Sequence, residues 1–330
     1  TVEPTVAATD SATPTSSTTR PSPTPGPTVG VGEEWIAYQG WSSTTTHIGL
    51  IRPDGSDATR LVIDGLPSTD LAHPAWSAAG DRIGFDVYTG DPDHPDFDRV
   101  EPWSALVDGS DPLRIATCAL PCLQLAYPAW SPGGTEVALI RYDLLDDETW
   151  GPSAVEVVDL ATGARRVIAE TADGTSAYYE PHWSGDGRSI VVALETYTDV
   201  GQQTFAGLAV ATVPAHAGAD VTVVTPPDVR AREADWDPLG PRLVVTLVDS
   251  LAPDMDQARL AVMAADGSDL RVLEAASGPD GGAFHPSWDP GGQWISFVHV
   301  EPSGTRRIAR IRPDGTGMEL LPATSEVRTN

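Results

Sequence analysis

The stretch "YPAWSPGGTEVALI", residues 127 to 140, contains the pattern that decides the fold. A Pro-x-Trp segment runs into a Gly-containing turn, and alternating apolar and polar residues follow, which is typical of two β-strands joined by a tight turn. The pattern occurs four more times, as "HPAWSAAGDRIGFD" from residue 73, "EPHWSGDGRSIVVA" from 180, "EADWDPLGPRLVVT" from 233 and "HPSWDPGGQWISFV" from 285. The chain is therefore built from repeats.

A second pattern separates these copies and ends in a turn with glycine. It reads "IRPDGSDATRL" from residue 51, "ALVDGSDPLRI" from 105, "VDLATGARRVI" from 158, "MAADGSDLRVL" from 263 and "IRPDGTGMELL" from 311. Asp-Gly between apolar runs is a strong hairpin signal. Both patterns recur with a period of 48 to 54 residues, and we expect one degenerate copy of the second near residues 213–224.

Each repeat thus predicts four short strands, A to D, with tight turns between A and B and between C and D. Four-stranded units hide their faces only against neighbours, so the sequence predicts an all-β, six-bladed β-propeller of four-stranded blades. The first unit is irregular, and its innermost strand is expected in "TVGVGE", residues 28–33. Either this segment or the tail "PATSEVRTN", residues 322–330, closes the ring, and the spacing favours the first.

Composition limits the partners of the 330-residue chain. Its 20 basic and 47 acidic residues give a formal charge of −27 and a pI near 4.3, which disfavours nucleic acid and anionic lipid surfaces. Such a surface suits divalent cations, basic protein patches or simple solubility. No apolar run reaches the roughly 18 residues of a membrane helix, so no transmembrane segment is expected.

Residues 1–30 are rich in Thr, Ser and Pro, which predicts a disordered stalk ahead of a propeller body at residues 31–330. This stalk is similar to the tether of bacterial surface lipoproteins, so we expect an extracytoplasmic protein, secreted or anchored at the cell surface, and a monomer. Cys118 and Cys122 fit export, since two thiols four positions apart can close a small disulfide. A zinc site is weaker here without a second Cys pair.

The phrases "PAWSPGG…VALI" and "IRPDGSD" resemble the TolB-like, WD40-like repeat (PD40) family over residues 31 to about 321. This resemblance implies a β-propeller of an exported bacterial protein. TolB itself carries an additional N-terminal domain and binds Tol and Pal partners, whereas a Thr/Pro stalk occupies that place here. Some peptidases carry such a propeller beside a catalytic domain.

The B–C and D–A connections are long and varied, and together they form one face of the predicted propeller, here called the loop face. Binding is expected there because loops on a rigid scaffold carry specificity. Four aromatic residues are candidates for stacking on a sugar or gripping a protein side chain: Trp41, Trp103, Trp150 and Tyr197. The alternative is that they pack the long loops onto the rim.

The loop "DPDHPDFD" offers four carboxylates, Asp91, Asp93, Asp96 and Asp98, as a candidate calcium site. Its spacing does not match an EF-hand, which has a central Gly and a Glu at the twelfth position. A solvated acidic loop is the alternative.

Three positions before each periodic tryptophan stand polar residues that are expected to converge on the central channel. They are His73, Tyr127, Glu180, Glu233 and His285. Mixed nitrogen and oxygen ligands suit zinc, manganese or iron, so a divalent cation is the one candidate cofactor. The layout resembles that of propeller-shaped lyases, which hold a metal at the channel that acidifies a sugar carbon. The alternative is that these groups only line a water-filled tunnel.

Motifs of nucleophilic catalysis are absent from the sequence, which has no G-x-S-x-G, P-loop or H-E-x-x-H. The sequence therefore favours a binding or scaffold module with a cell-envelope protein or glycan as partner. The alternative is a metal-dependent lyase or hydrolase acting on a polysaccharide at the channel mouth. A purely structural spacer is the third interpretation.

Overall fold

The computed structural model describes residues 34–41, 45–94, 97–146, 148–199, 204–251, 257–277 and 281–322. The predicted stalk, the predicted innermost strand at residues 28–33 and residues 323–330 of the tail lie outside these ranges. The described residues are almost entirely β-structure, and the prediction of an all-β propeller is confirmed.

The strands follow the repeats of the sequence. The first unit contains β1 (Ile36–Trp41), β2 (Thr46–Ile51) and β3 (Thr59–Arg60). The second contains β4 (Leu71–Trp76), β5 (Arg82–Gly90), β6 (Asp98–Leu106) and β7 (Leu113–Arg114). The third contains β8 (Cys122–Trp130), β9 (Glu136–Leu144), β10 (Trp150–Asp159) and β11 (Arg165–Glu170).

The remaining three units have the same organisation. The fourth contains β12 (Ser176–Trp183), β13 (Ser189–Asp199), β14 (Thr204–Pro214) and β15 (Thr222–Val223). The fifth contains β16 (Ala231–Trp236), β17 (Arg242–Leu247), β18 (Arg259–Ala264) and β19 (Arg271–Val272), followed by the helix α1 (Glu274–Ser277). The sixth contains β20 (Gly282–Trp288), β21 (Ile295–Val300), β22 (Arg306–Ile311) and β23 (Glu319–Leu320).

Within each unit the strands pair antiparallel in chain order. The second and third units are joined into one eight-stranded sheet by a single parallel pair, Val100 with Gln124. The degenerate turn of the fourth unit falls between β14 and β15, within the segment expected from the sequence. In the described part of the chain, no helix has the length and apolarity needed to cross a membrane.

The second strand of each unit is buried on both faces. In β9, the four consecutive residues from Val137 to Ile140 are fully buried, because neighbouring units cover the unit from both sides. Ile140 and Val155 of the third unit pack in one cluster with Trp183 and Ile190 of the fourth. Burial of a side chain of this size stabilises the fold by about 1.5–3 kcal/mol, so the core lies between the units.

The periodic tryptophans contribute to this packing. Trp183, Trp236 and Trp288 are buried, each less than a tenth exposed. The indole N–H of Trp183 donates a hydrogen bond of 3.1 Å to the carbonyl oxygen of Ala129, in the preceding unit. Trp183 therefore ties its inner strand to the preceding unit by a hydrogen bond, whereas the other periodic tryptophans contribute through packing.

The turns between the third and fourth strands of the second and fifth units pack on the preceding unit. Gly109 has φ +82°, and a Cβ there would collide with the carbonyl oxygen of Val62, which follows the outer strand of the first unit. Gly267 meets Val224 of the fourth unit in the same way. The glycine is needed there both for its left-handed backbone and for the close approach.

The same contact joins the two ends of the chain. Gly55 of the first unit abuts Pro322, which follows the outer strand of the sixth unit. Ile51, Ile308 and Leu321 form a buried cluster across the same boundary. The first and sixth units are therefore neighbours, as any two successive units are.

Substitution of these glycines tests the packing of the turns. Gly163 occupies the equivalent turn of the third unit with φ +70°, but a Cβ there would have no heavy atom within 4 Å. We expect Gly163→Ala to lower the free energy of unfolding by about 1–2 kcal/mol through backbone strain alone. Gly109→Ala adds a clash with backbone, which raises the loss to about 2–5 kcal/mol. Urea unfolding measures both, and equal losses would show that the turn does not pack on the first unit.

Candidate functional site

The five predicted channel residues share an unusual backbone conformation. Each has a positive φ between +48° and +59°, and each sits where the pairing of the innermost strand with its neighbour shifts register. The residues are His73, Tyr127, Glu180, Glu233 and His285. The left-handed region costs a residue with a Cβ about 1–2 kcal/mol, so the surroundings must hold each bulge in place.

Side chains of the preceding unit hold three of these bulges. The backbone N–H of His73 donates to the amide oxygen of Gln39 at 3.2 Å. That of Tyr127 donates to the carboxylate of Asp86 at 3.0 Å. That of His285 donates to Glu233 at 2.9 Å. The strained backbone and the contacts between units are therefore coupled.

His73 and Tyr127 form one half of the predicted ring of channel residues. Their rings lie 4.2 Å apart between centroids, and Nδ1 of His73 lies 2.8 Å from Oδ2 of Asp86. Asp86 is fully buried, and this burial raises the pKa of its carboxyl, although the bond to His73 opposes the shift. Asp86 thus serves both the imidazole of His73 and the backbone of Tyr127.

Glu180, Glu233 and His285 form the other half. One ligand atom from each lies within 4.8 Å of the others, and Nδ1 of His285 is 3.8 Å from Glu180 and 3.5 Å from Glu233. Ligands at about 2.1 Å from one tetrahedral ion stand roughly 3.4 Å apart. These three residues therefore fit a divalent cation in ligand type and spacing. His73 and Tyr127 belong to the other half of the ring and are not part of this group.

The second carboxylate oxygen of Glu233 is already in use. Oε2 accepts a hydrogen bond from the Thr246 hydroxyl at 2.9 Å as well as the one from the backbone of His285. Only Oε1 faces the imidazole of His285, and the guanidinium of Arg232 approaches it to 4.0 Å. Glu233 can offer a cation one oxygen and not two.

Arg232 is the resident cation of this region. It also pairs with Glu195 at 3.0 Å, and burial raises the pKa of the Glu195 carboxyl while Arg232 opposes the shift. Glu195 and Glu233 both lie within 4.0 Å of this guanidinium, and Glu180 lies close to Glu233, so the carboxylates here outnumber the arginine. A site with this balance attracts a further cation.

Beside the ring a cavity of about 200 Å³ opens between the ends of the strands at the loop face, mainly in the third and fourth units. We call it the tyrosine pocket because its aromatic lining is Tyr88, Tyr127, Tyr142, Tyr179, Tyr197 and Trp150. Tyr127 belongs to both structures, so the pocket and the ring are continuous.

Hydrogen bonds fix several of these phenols. The Tyr142 hydroxyl donates to the carbonyl oxygen of Tyr178 at 2.7 Å. The hydroxyls of Tyr179 and Tyr197 lie 2.8 Å apart, and Tyr197 donates to Glu195 at 2.7 Å. The walls of the tyrosine pocket are therefore preorganised, and one of them leads to a buried carboxylate.

Two of the four aromatic residues that the sequence suggested for the loop face line the tyrosine pocket, and the other two lie elsewhere. Trp150 and Tyr197 both line the tyrosine pocket. Trp103 lies inside β6 rather than in a loop; it packs against the core of the second unit, with the Arg114 guanidinium 5.7 Å from its ring centroid. Trp41 ends β1 in the first unit and is not among the residues that line the pocket.

The acidic loop is held by its own contacts. Asp91 is buried and accepts bonds from the backbone of Asp93 and from Arg99, the latter at 2.6 Å. Asp93 and Asp98 are exposed, and Asp96 lies outside the described residues. Among the carboxylates that are described, this loop contains no group that could hold a metal, so calcium binding stays a prediction.

Cys118 and Cys122 form a disulfide with their Cα atoms 5.5 Å apart. Cys118 lies in the connection that leads into β8, Cys122 begins that strand, and both pack against Leu125. The disulfide therefore braces the loop-face connection next to the start of the tyrosine pocket at Gln124.

The sequence analysis missed most of the tyrosine pocket, although a signal was present. Tyr88, Tyr142 and Tyr197 stand 54 and 55 positions apart, which is the period of the repeat, at the loop-face ends of three successive second strands. A polar aromatic residue that recurs with the repeat predicts side chains that converge. Asp86, Glu195 and Arg232 carried no comparable periodic signal.

Comparison with known proteins supports the fold. No family model matches the sequence, and no curated protein matches it. The structure is similar to TolB from Acinetobacter baumannii (TM-score 0.62, 15% identity, covering 88% of this chain and 64% of that one). It is also similar to a protein described as TolB from Agrobacterium tumefaciens (TM-score 0.59, 16% identity, covering 87% of this chain and 89% of that one). An oligogalacturonate lyase in complex with manganese is similar as well (TM-score 0.52, 13% identity, covering 88% of this chain and 72% of that one).

This chain spans less than two thirds of the Acinetobacter protein. At such low identities the likeness shows a β-propeller fold alone, and that fold is shared by proteins of different function.

The phenols of the tyrosine pocket should titrate abnormally. Burial, reinforced by nearby carboxylates, raises the pKa of all five; that of Tyr179 rises to about 12, with Glu195 as the main charge. The unfolded chain releases these protons near pH 10, while the native state keeps them. The free energy of unfolding should therefore fall as the pH rises above about 10.

Urea unfolding at about pH 8 and pH 11, with tyrosinate absorbance as the second signal, measures this effect. We expect most tyrosinate to appear only with unfolding at the higher pH. Full ionisation in the folded protein would show that the pocket is open to water.

Proposed function

We propose that this chain is an extracytoplasmic binding module that engages a cell-envelope protein or glycan at its loop face. The observation that carries the proposal is the tyrosine pocket, a preorganised aromatic cavity at the end of the scaffold where the connections vary. Tyrosine and tryptophan are the residues that dominate binding energy at interfaces, since they bury large apolar surface and keep a polar group for orientation.

The location of the tyrosine pocket supports this proposal. Tyr88, Tyr142 and Tyr197 end the second strands of three successive units, and Ser176 and Tyr179 belong to an innermost strand. Because the strands are fixed by packing between units, the rings need little ordering when a partner binds. Two candidates from the sequence, Trp150 and Tyr197, stand in its wall.

The rest of the chain fits the same proposal. Residues 1–30 would act as a stalk that holds the propeller body, residues 31–330, away from a membrane or wall as a monomer. The formal charge of −27 would keep the protein soluble and favour a partner with a basic surface. TolB-like structures support the fold of such a module, while its location and partner remain part of the proposal.

Photo-cross-linking from two faces tests the proposal. A photoreactive residue at Gln124, which lines the tyrosine pocket, should give a covalent adduct with a protein or glycan of the envelope fraction. The same residue at Leu239, which is 74% exposed in the tight turn between β16 and β17, is the matched control and should give none.

The adduct should disappear when Trp150→Leu is added to the Gln124 probe, because Trp150 forms part of the pocket wall. An adduct from Leu239 alone would move the binding site to the opposite face. An adduct from Gln124 that persists in the Trp150 variant would show that the partner binds the loop face without using the tyrosine pocket.

A second candidate function is that of a metal-dependent lyase or hydrolase acting on a polysaccharide at the ring of channel residues. The observation that favours it is the spacing of Glu180, Glu233 and His285, which matches the ligands of one divalent cation. A cation held by these residues would act as a Lewis acid on a bound sugar. An oligogalacturonate lyase in complex with manganese shares the fold.

Metal content separates this candidate from the binding module. Mass spectrometry on protein purified without a His tag and incubated with manganese should find about one ion per chain. His285→Ala should abolish it by removing a ligand, while His73→Ala, in the other half of the ring, should keep it. Equal and weak manganese binding in all three proteins would remove the enzyme candidate.

A further inference from the structure

We propose that the tyrosine pocket receives the cationic end of a basic side chain, the ammonium of Lys or the guanidinium of Arg, presented by a protein partner. This inference rests on the proposed function, and it chooses a protein over a glycan and names the group that anchors it. It is carried by the arrangement of the aromatic rings and by the carboxylates around them.

The rings surround a space rather than forming a stack. Tyr127 and Tyr179 stand nearly perpendicular with centroids 6.2 Å apart, as do Tyr142 and Trp150. Tyr142 and Tyr179 are tilted by 46° at 5.6 Å. Rings at such angles present faces and edges to a common cavity, and aromatic faces within about 6 Å attract a cation.

The volume also favours a side chain. About 200 Å³ accommodates a group of the size of an extended Lys or Arg side chain, and is below the 300–1,000 Å³ that is usual for a drug-sized ligand. The aliphatic stem of such a side chain would lie along the aromatic walls, while its charged end would reach the carboxylates deeper in the ring.

Carboxylates lie behind the lining of the tyrosine pocket and contact its residues. Asp86 accepts a hydrogen bond from the backbone of Tyr127 at 3.0 Å, and Glu180 directly follows Tyr179 in β12. Burial and the charges of both acids raise the pKa of the Tyr127 phenol. Glu195 receives the hydrogen bond of Tyr197 and through it the hydroxyl of Tyr179. An anion would be repelled here, and a cation would be attracted through both the rings and the carboxylates.

Glu180 is the carboxylate best placed to take a new partner. Arg232 occupies Glu195, and His73 occupies Asp86. Within the described residues, the ion pair of Glu180 is with His285 alone, at 3.8 Å, which is beyond hydrogen-bond distance. An ammonium or guanidinium that enters the pocket past Tyr127 would therefore find an available acceptor.

Small probes test the proposal without knowledge of the partner. Binding of N-acetyl-lysine amide and N-acetyl-arginine amide to the full chain is measured by NMR titration in low salt with a chelator present. Their neutral counterparts, N-acetyl-norleucine amide and N-acetyl-citrulline amide, have nearly the same shape. We expect the cationic probes to bind about tenfold more tightly than the neutral ones.

Three variants locate the group that binds the cation. Glu180→Gln keeps the shape of the side chain and should weaken the cationic probes about tenfold while leaving the neutral probes unchanged. Asp64→Asn, an exposed site in the first unit, changes the net charge equally and is the matched control, with no effect on either probe. Trp150→Leu should weaken both kinds of probe because it opens the wall.

Equal binding of cationic and neutral probes, or equal losses in the Glu180 and Asp64 variants, would overturn the proposal. A melting curve for each variant excludes unfolding as the cause, and Tyr197→Phe gives a second route, since it removes the hydrogen bond to Glu195 without removing the ring. Loop-face cross-linking without discrimination by charge would leave the binding module standing and remove only the basic anchor. Discrimination by charge without cross-linking would leave the basic anchor standing and remove the proposed envelope partner.

Discussion

Packing of each four-stranded unit on the next is the interaction on which this structure depends. A single unit has two apolar faces, as the fully buried run from Val137 to Ile140 shows, and neither face is covered until neighbours are in place. The turn glycines and the periodic tryptophans both serve this contact, by close approach and by volume. The same contact between Gly55 and Pro322 brings the first and sixth units together. The two described ends of the chain therefore pack on each other in the same way as successive units do.

The site follows from that packing. Five innermost strands carry a residue with a left-handed backbone, and side chains such as Asp86 and Glu233 reach from one unit to hold the bulge of the next. Polar groups buried for this purpose are unavailable for other chemistry on the same atoms. Oε2 of Glu233 already accepts two hydrogen bonds, whereas among the described residues the carboxylate of Glu180 is not used to hold a bulge. Which atoms of the ring remain available to bind a cation is therefore a consequence of how the scaffold is held.

The repeat period made the fold predictable, because a core residue demanded by every unit returns at every unit, as the tryptophans do. It also placed the five channel residues, whose left-handed backbone no pattern of side chains indicates. The tyrosine pocket was within reach of the same reasoning, through Tyr88, Tyr142 and Tyr197. Arg232 was not, since its importance comes from its distance to Glu195 and Glu233, which belong to different parts of the chain. Trp103 shows the converse error, where a loop was assumed and β6 had already begun.

A metal ion and a basic side chain make the same demand on this site. Arg232 neutralises one of three carboxylates, and the remaining charge favours a cation, whether a point charge at His285 or an extended group beside Tyr127. Both would use Glu180, so the two occupants exclude each other. The aromatic walls favour the basic side chain on physical grounds. Rings around a cavity contribute little to a hydrated divalent ion, which needs oxygen or nitrogen ligands, but they stabilise an organic cation along its whole length. Five phenols and an indole are therefore better accounted for by a side chain than by an ion.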